Sequence, residues 1–170
     1  MKNPTLFLLV SGLFVTQLSH ATDNPVYIGI SAGQTKVIQG ANGSYDVATT
    51  STLTAGYVFS DTTDLQSIIE ACYTQTLKKE SVTLDNLANE YKEETLGIFL
   101  AARTKGDAYV KAKLGVVNHR IATNTVVTYN AAKLSAGIGF GIKDNSGGMT
   151  EIEYVIYDQD ISLVNIGYFF

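Results

Sequence analysis

An all-β fold class, an eight-stranded antiparallel up-and-down barrel, is predicted by three observations. Apolar and polar residues alternate with period 2 in segment after segment from residue 26 onward. The composition suits strands better than helices, with 10 Tyr, 7 Phe and 15 Gly against 2 Pro. Clusters of Ser, Thr, Asp, Asn and Gly punctuate the alternation.

Residues 1–21 stand apart from this pattern. Lys2 supplies a positive start, residues 6–15 are apolar apart from Ser11 and Gly12, and Ser19-His20-Ala21 fits the small-x-small rule for signal peptidase. A transmembrane helix needs roughly 20 apolar residues, more than this segment holds. The segment reads as a cleavable signal peptide over 1–21, followed by one barrel domain over 22–170. No cysteine lies at the cleavage position, so a lipid anchor is not indicated. Cys72 is the only cysteine, which excludes an intrachain disulfide. The formal charge of −4 comes with scattered lysines and no basic patch for nucleic acid.

Eight strands are expected, over about residues 26–38, 45–59, 64–78, 91–103, 107–119, 126–142, 149–158 and 161–170. The connections 60–63, 104–106 and 143–148 are compact turns. The connections 79–90 and 120–125 are longer and polar, 39–44 is Gly/Asn-rich, and 158–160 is short. Tight turns at one end and longer loops at the other suit an up-and-down membrane barrel.

Each strand divides into two faces. Ala132, Leu134, Ala136, Ile138, Phe140 and Ile142 alternate with Lys133, Ser135, Gly137, Gly139 and Gly141. Val164, Ile166, Tyr168 and Phe170 alternate with Asn165, Gly167 and Phe169. Alternation alone does not say which face is inside. Glycine placement does: Gly29, Gly33, Gly56, Gly97, Gly115, Gly137, Gly139, Gly141 and Gly167 share the polar phase. Small residues relieve crowding inside an eight-stranded barrel and give a solvated surface nothing. Tyr57, Phe59, Tyr168 and Phe170 lie on the apolar face near strand ends, where an interfacial girdle belongs. With the export signal, these features turn the apolar face toward lipid and make the barrel transmembrane.

The lumen then receives Glu70, Arg103, Lys111, Lys113, Lys133, Glu151 and Glu153. Buried charges persist when paired and hydrogen-bonded, so these are expected to form a structural ion-pair network that plugs the barrel.

The chain resembles the small outer-membrane β-barrel proteins, the group of OmpA-like barrels, opacity proteins and Ail/Lom-type surface proteins. The resemblance rests on Tyr27-Ile28-Gly29-Ile30-Ser31-Ala32-Gly33, on Ala55-Gly56-Tyr57-Val58-Phe59-Ser60-Asp61, on the stretch from Arg103-Thr104-Lys105-Gly106-Asp107 through Ala108-Tyr109-Val110-Lys111-Ala112-Lys113-Leu114-Gly115, and on Val164-Asn165-Ile166-Gly167-Tyr168-Phe169-Phe170. It implies a bacterial outer-membrane location after export to the periplasm. It also implies insertion by the outer-membrane assembly machinery, with Ile166, Tyr168 and Phe170 as assembly signal. Outer-membrane lipids, lipopolysaccharide and a surface ligand of the loops are the implied partners. Members of the group share no one activity.

No catalytic residue set, metal site or cofactor is expected. His119 sits among Asn118, Arg120, Ile121, Ala122 and Thr123 without a nearby Ser, and reads as a surface-loop residue rather than a general base. Asp158 and Asp160 read as an acidic hairpin tip, too poor in oxygen ligands for calcium. Lys78, Lys79 and Glu80 suit lipopolysaccharide phosphates or a solvated charge cluster equally. Cys72, on the polar phase, reads as a small lumen filler. The leading function is a non-enzymatic outer-membrane barrel, structural or in contact with a surface. A lipid-modifying enzyme, a narrow channel and a soluble periplasmic ligand-binding barrel stay open as alternatives.

Overall fold

The computed structural model describes residues 25–37, 43–45, 47–84, 87–123, 128–158 and 161–170. The expected signal segment lies outside these residues, as do Gln159 and Asp160 and the side chain of Asp158. The strands are β1 (Val26–Val37), β2 (Gly43–Tyr45), β3 (Ala48–Asp61), β4 (Leu65–Thr76), β5 (Glu80–Leu84), β6 (Leu87–Thr104), β7 (Ala108–Thr123), β8 (Thr128–Lys143), β9 (Met149–Asp158) and β10 (Ile161–Phe169).

They form eight staves of one closed antiparallel barrel. β2 and β3 share a stave, because β2 pairs with β5 and β3 pairs with β4. β4 and β5 follow one another along β6, with Gln75 opposite Glu94 and Glu80 opposite Tyr91. β1 pairs with β10 from Gly29↔Phe169 to Val37↔Ile161, and β6 with β7 from Tyr91↔Thr123 to Arg103↔Lys111. Ile28 and Phe170 exchange backbone hydrogen bonds of 3.2 and 2.8 Å beyond the last rung. Closure leaves no edge along the shared height of the staves, which is how a barrel satisfies its backbone polar groups.

Two expected loops are strand instead. The stretch 79–90 is largely a hairpin, paired from Glu80↔Tyr91 to Leu84↔Leu87. β7 also continues past 119 to Thr123, with Arg120 opposite Glu94. Charged and amide residues crowd these segments, namely Lys79, Glu80, Asp85, Asn86, Asn89, Glu90 and Arg120, and they mask the alternation that marks a half-buried strand. Pairing with long neighbours supplies the order that pattern does not reveal.

The turns at the other end are tight. Gly106 and Gly147 have φ of 125° and 88°, the left-handed region that glycine enters without steric cost. In the 143–149 turn, Asp144 Oδ1 accepts hydrogen bonds from the backbone N–H groups of Ser146 (2.8 Å) and Gly148 (2.9 Å) and from the Ser146 hydroxyl (2.6 Å). This end is called the turn end below, and the opposite one the loop end.

The apolar face points outward. Leu134 is 83% exposed and Leu114 68%. The polar phase fills the interior, where Glu70 and Thr35 are wholly buried. The expected glycines lie on that inner phase, and the structure gives them a specific task. A Cβ on Gly29 would come within 2.0 Å of the Phe169 ring, one on Gly56 within 2.1 Å of Tyr27, and one on Gly141 within 2.2 Å of Tyr109. Each of these three glycines is the slot into which a neighbouring strand lays an aromatic ring.

Candidate functional site

The interior is built in layers along the barrel axis. At the turn end, Tyr27, Ile68, Ala101, Tyr109, Met149 and Phe169 form an apolar floor. Arg103 of β6 lies in this floor. Its Nε and Nη2 donate to Gln66 Oε1 at 3.1 and 2.7 Å, and its guanidinium carbon stands 5.4 and 5.2 Å from the ring centres of Tyr27 and Tyr109. The two phenols face the next layer, where Tyr27 donates to Glu70 Oε1 and Tyr109 to Glu151 Oε2 at 3.0 Å.

The next layer is an ion-pair cluster of five residues from three staves. Lys111 Nζ lies 3.0 Å from Glu70, 2.5 Å from Glu151 and 2.9 Å from Glu153. Lys113 Nζ lies 2.7 Å from Glu153 and 3.8 Å from Glu70, and stands 4.4 Å from the Phe99 ring centre. All five are buried. The alternation of β7 puts both lysines on one face, and the alternation of β9 does the same for its two glutamates.

Two of the expected lumen charges, Arg103 and Lys133, stand at other heights than this cluster. Among the described residues, Arg103 forms no ion pair with a carboxylate; it is separated from Glu70 and Glu151 by the tyrosines. Its charge acts on them through the phenol faces and hydroxyls. Lys133 is inward-facing but half-buried, and stands opposite Val117, nearer the loop end than the cluster. The period-2 pattern gives the phase of both residues and says nothing of their height along the axis.

Above the ion pairs, Thr52 and Thr74 hydroxyls are 2.8 Å apart, and Thr74 is 3.0 Å from the Tyr157 hydroxyl. Cys72 is buried in this region, with the Thr54 hydroxyl 3.6 Å from its sulfur. Tyr91, Val117, Ile121, Val155, Tyr157, Ile161 and Leu163 belong to an apolar cluster toward the loop end.

Within that upper half lies a group that the sequence reading missed. His119 is 1% exposed and points into the lumen, not into a surface loop. It inherits the phase of Lys111 and Lys113, because β7 runs on without a break in register. Its Nδ1 is 2.6 Å from Thr95 Oγ1 and 3.6 Å from Glu93 Oε1. These are the residue types of a hydrolase triad in the wrong arrangement. A triad needs nucleophile and acid on different ring nitrogens, with the nucleophile open to substrate. Here both partners approach Nδ1, and all three residues are buried. Glu93 escaped notice because Lys92-Glu93-Glu94 carries charge on both faces. Tyr27 and Tyr109 were legible from their phase alone. Among the described residues, no group of three or more His, Cys, Asp and Glu is placed to hold a metal ion.

At the surface, Lys78 pairs with Glu80 at 3.6 Å and Lys79 with Glu90 at 3.3 Å. Ile166 faces outward and is 54% exposed. Tyr168 donates to Asp144 Oδ2 at 2.6 Å, and its ring meets Phe170 edge-on at 4.8 Å.

No protein-family model matches the chain, and no curated protein matches it in sequence. Solved structures do. The outer membrane protein OprG of Pseudomonas aeruginosa superposes with a TM-score of 0.57 at 13% identity, over 86% of this chain and 96% of that one. Ail, the attachment invasion locus protein of Yersinia pestis, gives 0.55 at 16% identity over 85% and 96%. Neisserial surface protein A gives 0.52 at 10% identity over 86% and 96%. At these identities the likeness is one of fold, and the fold is that of the small eight-stranded outer-membrane β-barrels.

Proposed function

We propose that this chain is a plugged, non-enzymatic barrel of the bacterial outer membrane whose role is carried at its exposed loop end, as a structural or surface-contacting protein. The observation that carries the reading is the inversion of the fold: an apolar exterior around an interior of charge and glycine. Water would penalise that exterior, and lipid would not.

Strand length supports the same reading. β9 and β10 have 10 and 9 residues, close to the roughly 9–11 that a tilted strand needs to cross a bilayer. β6, β7 and β8 have 18, 16 and 16, so this side of the barrel stands higher at the loop end. Outward residues change character on the tall side, from Leu96 and Val116 to Lys92, Glu94 and Arg120. A raised, charged wall above an apolar belt is a surface for contact with lipopolysaccharide or an external partner. Ail, of the same fold, has been crystallised in complex with the heparin analogue sucrose octasulfate.

The buried lumen argues for a protein that conducts nothing large. The inward side chains are shielded at every level, from Tyr109 through Glu70 and Thr74 to Val117. In this reading residues 1–21 are removed on export, and the row Ile166, Tyr168, Phe170 is recognised by the assembly machinery. Heat-modifiable migration of an outer-membrane fraction in SDS tests the proposal. The expected result is a shift between unboiled and boiled samples, with a mature N-terminus near Thr22. Release of the protein as a soluble periplasmic species would refute it. A stable large conductance in planar bilayers would refute the plug, and a new lipid product on overexpression would restore the enzyme alternative.

A further inference from the structure

The barrel closes where the two ends of the chain meet. Among the described strands, every other ladder joins staves that follow one another in sequence, while β1–β10 joins the first strand to the last. These two strands share no turn, so their pairing closes the longest loop in the fold and carries its largest closure entropy. A chain end frays unless something ties it down. The end of β10 lies at the turn end of the barrel, where Phe170 and Ile28 exchange backbone hydrogen bonds.

Two adjacent side chains anchor that end on its two faces. Inward, Phe169 fills the slot at Gly29 and meets the Tyr27 ring edge-on, 6.0 Å between centres. Outward, Tyr168 stands opposite Thr150 of β9 and Ile30 of β1. Its hydroxyl reaches the start of β9 and donates to Asp144 Oδ2 at 2.6 Å. Asp144 belongs to neither strand of the seam; it lies in the turn between β8 and β9. That turn holds the carboxylate still. Besides the three bonds that Asp144 Oδ1 accepts, the Asp144 N–H donates to the Gly148 carbonyl at 2.8 Å and the Gly147 N–H to the Asp144 carbonyl at 3.1 Å. Gly148 makes room for the phenol: a Cβ there would come within 1.9 Å of the Tyr168 hydroxyl and 2.7 Å of Asp144 Oδ2.

We infer that the β8–β9 turn is a strap on the last strand, and that its clasp, the hydrogen bond from Tyr168 to Asp144, holds the β1–β10 seam shut from the turn end. With the clasp closed, the end of β10 leaves β1 only by dragging the turn with it or by breaking a bond to a carboxylate, which is stronger than one between neutral groups. With the clasp removed, the same residues keep their backbone pairing and the Phe169 anchor and lose the tie to a third stave. The free energy of local opening then falls at this end. The clasp touches neither the Lys111 cluster nor the far end of the seam, so its effect is local. The inference concerns closure of the barrel and holds whichever surface role the protein has.

Hydrogen exchange of the folded chain in detergent micelles at neutral pH tests it. Tyr168→Phe removes one oxygen and keeps the ring and its edge-on contact with Phe170. Protection over residues 28–30 and 167–170 is expected to fall by about tenfold in this variant. Residues 161–163, at the far end of the seam, and 110–114, at the level of the Lys111 cluster, should keep their native protection. Asp144→Asn weakens the same bond from its other partner and should loosen the same residues of the seam. Combining the two should cost no more protection there than the larger single loss, because both act on one bond. Unchanged protection over 167–170 in Tyr168→Phe overturns the inference, as do an equal loss over 110–114 or additive losses in the double variant. Failure of Tyr168→Phe to fold would make the bond global in effect and overturns it as well.

Discussion

Replacing Lys111 with methionine removes one ammonium and leaves the side-chain volume nearly unchanged. In the native lumen Glu70, Glu151 and Glu153 are balanced by Arg103, Lys111 and Lys113. Lys111 is the hub, since its amine contacts all three carboxylates within 3.0 Å. The variant leaves three carboxylates facing Lys113 and the more distant Arg103, a net uncompensated charge in a site that excludes water. Breaking a buried pair in this way costs about 3–5 kcal/mol. At a urea dependence of roughly 2 kcal/mol per molar for a chain of this size, the unfolding midpoint should fall by about 2 M. The chain has no Trp, so far-UV circular dichroism or the mobility of unboiled samples across a urea series is the readout. A second variant separates charge balance from packing. Lys111→Met combined with Glu151→Gln removes one charge of each sign, and the new amide oxygen can still accept from the Tyr109 hydroxyl. It should recover more than half of the loss. A single variant within 0.5 M of the native midpoint, or a double variant no better than the single, would refute the claim that charge compensation holds this layer together.

Three further outcomes follow from the same geometry. Gly29→Ala should destabilise the barrel by about 1–3 kcal/mol through overpacking, because its Cβ would meet the Phe169 ring at 2.0 Å; adding Phe169→Leu should restore part of the thermal midpoint. Cys72 should resist a maleimide in the folded barrel and react fully after boiling in SDS, since its thiol is buried in the plug; rapid labelling of the folded state would mean a wet lumen. Asp144 lies in an exposed turn, and its hydrogen bonds, first from Ser146 and then from Tyr168, hold its carboxyl down to about 2. A depressed carboxyl contributes stability above its unfolded value near 3.9 and loses it as pH falls toward the folded value. The difference in thermal midpoint between wild type and Asp144→Asn should therefore be constant above about pH 5 and shrink between about pH 4 and pH 2.

Much of this architecture is written in the alternation of single strands. Gly137, Gly139 and Gly141 against Ile138 and Phe140 suffice to place the glycines inside, and the same rule places Lys111, Lys113, Glu151 and Glu153 in one lumen. Alternation has period 2 and carries no information about height, so it gives the phase of Arg103 and Lys133 without separating their level from that of Lys111 and Lys113. It also gives out where charged and amide residues crowd a strand. The segments 79–90 and 120–123 are held by cross-strand pairing, with Arg120 opposite Glu94 and Glu80 opposite Tyr91. A sequence reading stops the strand where the apolar face stops, and so it leaves His119 in a loop. The register of β7 extends the lumen phase two residues beyond Val117 and brings His119 inside.

That extension also sets the heights at which the polar and apolar layers of the lumen lie. Glu93 and His119 stand on β6 and β7, two of the staves that continue above the level where β9 and β10 turn back. The apolar residues near them, Tyr91, Ile121, Ile161 and Leu163, close the lumen at the height of the lower rim. The Lys111 cluster is flanked by the aromatic floor on one side and by this upper half of the plug on the other, so a change of charge there is contained. The lower cluster thus braces the height at which the eight staves close on one another.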